Sequence, residues 1–198
     1  MNNRRIESDS SPDSTALDED SRATLTVLDL LAEIAADRDR ETDPLVEQAR
    51  ALDERLGSPR SLALHGAAIL VDARDDFVWN QIGALDEGGE RLDRAIDSAP
   101  EDRLVRFLRA VATFPLPSIA GRRDQCFEDL EGLVADLGDS DALWTPQRQA
   151  FSCCMFATLL EQRDELDLAT DAFRRARDLA PDSPYGRLAS ERLKTLRG

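Results

Sequence analysis

The sequence contains few of the residue types that carry out chemistry. Its 198 residues include one histidine, three cysteines and one tyrosine, and aromatic residues account for only 5%. It has no glycine-rich phosphate loop, and Cys126, Cys153 and Cys154 lack the C-x-x-C spacing of a zinc site or redox motif. A catalytic nucleophile needs a base beside it, and we find no such pair. We therefore predict a protein that is not an enzyme and that uses no cofactor or metal.

Lysine is also nearly absent. The 25 basic residues include one lysine, Lys194, and they face 40 acidic residues, which gives a net charge of −15. This charge argues against binding to nucleic acid or to anionic membranes, because a phosphate surface must be met by positive charge. An Asp-rich, Lys-poor composition is typical of proteins from a salt-filled cytoplasm, and we expect a halophilic source, although a coding bias towards arginine explains part of it.

Long apolar runs are missing as well. The longest, residues 151–160, is far shorter than the roughly 18 residues that a membrane span needs. Arg4 and Arg5 are followed by polar residues rather than by an apolar stretch, so no signal peptide is indicated. Together with cysteines that we expect to be reduced core residues, this predicts a cytoplasmic protein.

Helical periodicity is what the sequence does contain. Residues 1–20 are polar and acidic and predict a disordered tail, whereas residues 21–198 show helical spacing of apolar residues with no alternation of period two. We expect about nine helices and an all-α fold. Four helix starts are marked by a capping residue followed by proline, at Asp43, Ser58, Thr145 and Ser183.

An internal repeat narrows the fold further. The heptapeptide at 94–100 (RAIDSAP) recurs 81 residues later at 175–181 (RARDLAP). The second copy lies in an A-x3-F-x2-A-x4-P pattern formed by Ala169, Phe173, Ala176 and Pro181. This pattern resembles the second helix of a tetratricopeptide repeat. Counting back gives a 34-residue unit over 150–183, with Ala157 at the small position of its first helix.

The resemblance covers about residues 60–196, with one good repeat and two degenerate ones, and residues 21–57 would add a helix pair. It implies antiparallel helix pairs stacked as a short right-handed solenoid whose first helices line a concave groove. The expected function is a non-catalytic interaction or scaffold module that binds a protein or peptide partner, an acidic partner being one option. The alternative is a small-molecule or anion-binding sensor or regulatory subunit. The family's Lys/Asn clamp for C-terminal carboxylates is not matched.

A cluster of arginines is the candidate binding site. The segment 103–123 contains no acidic residue, although the chain average of 40 in 198 would place about four there. We call its five arginines the arginine island: Arg103, Arg106, Arg109, Arg122 and Arg123. They could bind an acidic peptide or small anion in the groove, with Arg106 as the central candidate. Alternatively, they pair with acids of adjacent helices, for which the candidates are Asp86, Glu87, Glu90 and Asp129.

Other residues with functional potential have plainer interpretations. His65 is expected to be a core or groove histidine, since the sequence shows no catalytic partners for it. Trp79, Trp144 and Tyr185 lie at helical spacing among leucines and isoleucines, which favours packing over a role as binding hot spots.

Overall fold

The structure is a computed structural model that describes residues 19–36, 41–73, 78–116 and 121–196. These residues form nine α-helices and no strand, which confirms the predicted all-α class. The helices are α1 (Glu19–Ala36), α2 (Asp43–Leu56), α3 (Pro59–Asp72), α4 (Val78–Ser98), α5 (Arg103–Thr113), α6 (Arg123–Ala135), α7 (Pro146–Gln162), α8 (Leu166–Leu179) and α9 (Pro184–Thr195). None of these helices is long and apolar enough to cross a lipid bilayer.

The helix starts follow local capping chemistry. Ser58, Thr145 and Ser183 each stand before a proline and accept a hydrogen bond from a backbone N–H of the first turn, as the sequence predicts. At α2 the prediction is wrong by one residue, because Thr42 holds the N-cap position and Asp43 is already helical. Thr42 makes no capping bond, since its hydroxyl donates to the carboxylate of Asp72 at the end of α3.

Other boundaries shift by one or two residues. The spacing of apolar residues also predicts a helix over 121–137, and in the structure this helix begins at Arg123 and ends at Ala135. The sequence also predicts that a long helix starts at Asp75 or Asp76 and ends before Pro100. That start lies outside the described residues, as does most of the predicted tail over 1–20. The last two residues of that tail, Glu19 and Asp20, form the first turn of α1.

Successive helices pack side by side, as a repeat-like all-α fold requires. The pairs α3–α4, α5–α6 and α7–α8 pack internally, α3 also contacts α5, and α9 packs on α7 and α8. Helices α3 and α4 cross at two glycines: a Cβ on Gly66 would lie 2.7 Å from the carbonyl oxygen of Gly88. No other residue type allows the two backbones to approach so closely.

The helices of the strongest predicted repeat, α7 and α8, pack closely on each other. In α7 and α8, Ala157, Ala169, Ala176 and Phe173 are all 0% exposed and belong to one buried apolar cluster. These four positions of the predicted repeat are thus buried, and the repeat family itself stays a prediction.

The described residues form two buried apolar clusters. One lies in the first half of the fold, from α1 to α5, and includes Trp144; the other extends from α5 to α9, and Phe151 packs against both. Trp144 is a packing residue as expected, and Tyr185 packs half-buried against the second cluster. The side chain of Trp79 lies outside the described residues.

Candidate functional site

The arginine island consists of Arg103, Arg106 and Arg109 on α5 and of Arg122 and Arg123 at the start of α6. Its centre is Arg109, whose side chain is 11% exposed and forms a side-on fork with Asp129 of α6, with Nε–Oδ2 at 2.6 Å and Nη2–Oδ1 at 2.9 Å. Burial alone would lower the pKa of Arg109, but the carboxylates of Asp129 and Asp93 outweigh it and raise the pKa. Arg109 is thus a compensated, permanently charged group held between helices.

Asp93 on α4 links two members of the island. Its carboxylate accepts from Arg109 Nη1 at 3.3 Å and from Arg122 Nη1, which lies 2.7 Å from both carboxylate oxygens. Arg122 also donates to the side chain of Gln125 at 3.2 Å, and its guanidinium fills the space beside Gly89. The structure therefore brings Arg109 and Arg122 together, but around acids rather than around an empty site.

The guanidinium groups of Arg103 and Arg106 donate hydrogen bonds to different acceptors. Arg103 Nη2 donates to both carboxylate oxygens of Asp136, at 3.1 and 3.2 Å. Arg106 Nε donates to the backbone oxygen of Pro100 at 2.5 Å, and its Nη2 lies 3.8 Å from Glu101. Arg106, expected to be central, thus lies at the edge of the network that Arg109 organises.

Arg123 differs from the other four. It is exposed at the start of α6 and forms no ion pair with the described residues. Of the acidic partners considered from sequence, only Asp129 pairs with the island; Glu87 pairs with Arg91 of its own helix instead. A ligand of the island would have to displace internal carboxylates, and its role as a binding site stays a prediction.

A cavity on another side of α5 is a second candidate. It has a volume of about 250 Å³ and lies between α1 and the helices α5, α7 and α9, and we call it the α1 cleft. Its walls are Leu28, Asp29, Leu31, Ala32, Phe107, Val111, Thr145, Gln147, Arg148, Phe151 and Tyr185. Helices α5 and α7 are the first helices of the pairs α5–α6 and α7–α8, and α9 packs on α7 and α8.

One side of the cleft is aromatic. Phe107 of α5, Phe151 of α7 and Tyr185 of α9 form a row in which successive ring centres are 5.4 and 5.0 Å apart and the rings meet edge to face. Trp144 extends the row beyond the cleft, 5.8 Å from Phe107. Edge-to-face contacts fix the ring orientations and stabilise the row beyond the area that it buries.

Arg148 is the positively charged residue in the wall of the cleft. The loop before α7 is folded by Asp141, whose carboxylate accepts from the backbone N–H groups of Leu143 and Trp144 at 2.7 Å. Arg148 Nη1 donates to the carbonyls of Ala142 and Leu143 at 3.2 and 3.0 Å, so this loop holds the guanidinium in place. The only carboxylate within 4 Å of it in the described part of the chain is Asp29 of α1.

Arg148 and Asp29 form an ion pair in which the arginine is largely buried and the aspartate is exposed. Arg148 Nη2 lies 3.2 Å from Asp29 Oδ1, and the two side chains are 12% and 68% exposed. Burial lowers the pKa of Arg148, and the negative charges of Asp29 and Asp141 offset this only in part. The sequence alone does not reveal this pair, because the two partners are 119 residues apart and no local pattern connects them.

His65 has an acidic partner that sequence analysis did not identify. Its Nδ1 lies 3.2 Å from Asp53 Oδ2, and the hydroxyl of Ser61 donates to the other oxygen of the same carboxylate. Because this hydroxyl faces Asp53 rather than the imidazole, the three residues do not form a nucleophile–base arrangement. His65 is 7% exposed and is a core histidine, as expected.

The cysteines are core residues, as predicted. All three are free and buried, and burial raises the pKa of Cys126 and Cys153 to about 11 and that of Cys154 to about 12. Within the described ranges, no group of three or more His, Cys, Asp or Glu side chains is placed to hold a metal ion.

Comparison with known proteins adds no assignment: no family model, curated protein or solved structure matches the chain.

Proposed function

We propose that the protein is a tetratricopeptide-like interaction module that binds an acidic amphipathic helix of a partner protein in the α1 cleft. One observation carries the proposal: α1 of the same chain already occupies one side of this cleft, with Leu28 and Leu31 each 2% exposed and Asp29 paired with Arg148. The helix α1 then acts as the intramolecular occupant that a partner replaces.

The contacts of α1 define what the cleft recognises. Leu28, Leu31 and Ala32 follow the i, i+3, i+4 spacing with which an amphipathic helix lays one face into a groove. They lie across from Phe107 and Phe151, and burying the two leucines stabilises docking by about 3–6 kcal/mol. Asp29 adds an ion pair with Arg148, so the cleft favours a helix that carries an acidic residue at this position.

The attachment of α1 is weaker than that of the other helices. Beyond the cleft it packs on α2 and α3, and in its first turn Glu19 and Asp20 form ion pairs with the exposed Arg55 at 3.9 and 3.3 Å. Exposed ion pairs of this kind contribute little. A partner helix with similar leucines and an acid can therefore compete with α1, whose advantage is its tether.

The test uses α1 itself as the probe. A fluorescein-labelled peptide of residues 19–36 is titrated with the full chain carrying Leu28→Asp and Leu31→Asp, and anisotropy is measured. We expect binding to this variant and little to the wild-type chain, in which tethered α1 competes at an effective concentration of about 1 mM. A peptide carrying Asp29→Lys should bind about tenfold more weakly, because it repels Arg148.

The matched control changes two exposed leucines in the same way. Leu166 and Leu168 on α8 are 47% and 57% exposed, so Leu166→Asp with Leu168→Asp should leave α1 docked and behave like wild type. If Leu28→Asp with Leu31→Asp disrupts the fold by circular dichroism, full-chain Asp29→Lys replaces it. If the variant is folded but shows no anisotropy change with the peptide up to about 1 mM protein, the proposal is contradicted.

A further inference from the structure

The α1 cleft keeps free volume while α1 is docked. Its roughly 250 Å³ exceeds the ~150 Å³ of an apolar cavity that holds benzene. Asp29, Ala32 and Gln147 are exposed members of its wall, so the cavity reaches the surface between α1 and α7. The space therefore suits a small ligand that enters without removing α1.

The walls of this space differ from one another in chemistry. Phe107, Phe151 and Tyr185 present a row of ring edges and faces, against which a flat apolar guest gains edge-to-face or stacked contacts. Val111 adds an aliphatic surface from α5. The part of a ligand that packs best against these side chains is an aromatic ring.

Arg148 fixes the other end of the ligand. Its Nη1 is occupied by the carbonyls of Ala142 and Leu143, whereas the edge formed by Nε and Nη2 makes one hydrogen bond within the described residues, to Asp29 at 3.2 Å. This is the edge with which Arg109 forks onto Asp129 elsewhere in the molecule. A carboxylate takes two parallel hydrogen bonds there, where Asp29 takes one.

We infer that the α1 cleft is a binding site for a small monocarboxylate that carries an aromatic ring. The ring lies against Phe107, Phe151 and Tyr185, and the carboxylate replaces Asp29 on the Nε–Nη2 edge of Arg148. The helix α1 remains docked through Leu28 and Leu31. The site thus does not depend on binding of a partner helix, and it makes the protein a small-molecule sensor as well.

The test compares an acid with its neutral amide on the full-length chain. Titration calorimetry with 3-phenylpropanoate should give a Kd of about 1 mM or tighter, and 3-phenylpropanamide should bind at least about tenfold more weakly. Asp29→Asn removes the competing carboxylate and should tighten binding of the acid about threefold or more. Val111→Phe fills the cavity and should weaken binding by about tenfold or more.

Two controls make the result specific. Asp171 on α8 is 67% exposed and pairs with Arg174, so Asp171→Asn removes the same charge at matched exposure and should leave affinity unchanged. Circular dichroism confirms that Val111→Phe is folded; if it is not, Ala32→Leu fills the cavity from its exposed side. Absence of binding at about 10 mM, equal binding of acid and amide, or an Asp29→Asn variant that binds no tighter would each overturn the inference. The peptide titration with residues 19–36 tests the partner helix separately, so either proposal can fail while the other stands.

Discussion

Asp129→Asn is the most informative single substitution in the arginine island. The substitution keeps the shape of the side chain but removes the negative charge with which Arg109 makes two hydrogen bonds. Asp129 is only 4% exposed, so this charge is buried. The amide also places donors against the donors of the guanidinium. If the island is chiefly internal ion pairing, this substitution should be costly; if the island is an exposed binding surface, it should not.

The magnitude follows from burial and from the remaining partner. Removing one member of a buried ion pair costs about 3–5 kcal/mol, because it leaves an uncompensated charge. Arg109 keeps a 3.3 Å contact with Asp93, which is 36% exposed and shared with Arg122, so we expect the lower end, about 3 kcal/mol. For a chain of this size the melting temperature should fall by about 6–12 °C.

The assay is thermal and urea unfolding followed by circular dichroism, with a matched substitution on the same helix. Asp124 of α6 pairs with Arg163 at 3.2 Å but is 92% exposed, so Asp124→Asn should change stability little. The double variant Arg109→Met with Asp129→Leu should recover most of the loss, since an apolar pair can replace a buried ion pair. A loss below about 1 kcal/mol for Asp129→Asn would refute the reasoning.

Three further predictions concern packing, thiols and salt. Gly66→Ala should cost about 1–3 kcal/mol in unfolding free energy, because its Cβ would lie 2.7 Å from the oxygen of Gly88, whereas Gly83→Ala in α4, where a Cβ meets nothing within 4 Å, should not destabilise. The buried thiols have pKa values of about 11 to 12, so between about pH 9 and 11 the unfolded chain loses their protons first; urea stability should fall as pH rises, and less so when the three cysteines are replaced by alanine. At a net charge of −15 the melting temperature should rise from dilute to molar KCl, and a flat or falling profile would contradict the expected adaptation to salt.

Local patterns explain why much of the fold is predictable. The starts of α3, α7 and α9 depend on a capping hydroxyl and the proline after it, and the α7–α8 crossing depends on alanines at helical spacing. Both signals lie within a few turns of chain. At α2 the backbone oxygen of Thr42 accepts from the N–H groups of Leu45 and Val46, so the helix begins one residue before the position that the proline pattern predicts. The hydroxyl of Thr42 bonds with Asp72, 30 residues away, and no local rule anticipates this loss of the side-chain cap.

The candidate site depends on contacts of a different kind. The absence of acids in 103–123 reveals an excess of cations, but not that Asp93 of α4 neutralises two of them, because that depends on how α4, α5 and α6 are oriented. The α1 cleft is harder still to foresee. Its aromatic row combines residues from α5, α7 and α9, none of which is unusual within its own helix.

Arg109 and Arg148 differ in the acids that surround them, and this difference determines how readily an anion could reach each guanidinium. Both are largely buried, at 11% and 12% exposure, and both lie between helices. Arg109 faces two acids, one of them 4% exposed, so an incoming anion would have to leave a carboxylate buried and unpaired. Arg148 faces Asp29, which is 68% exposed and returns to water at little cost when it is displaced. An anion exchanges with the acid partner of Arg148 far more readily than with that of Arg109, and this difference favours the α1 cleft over the larger cluster of positive charge.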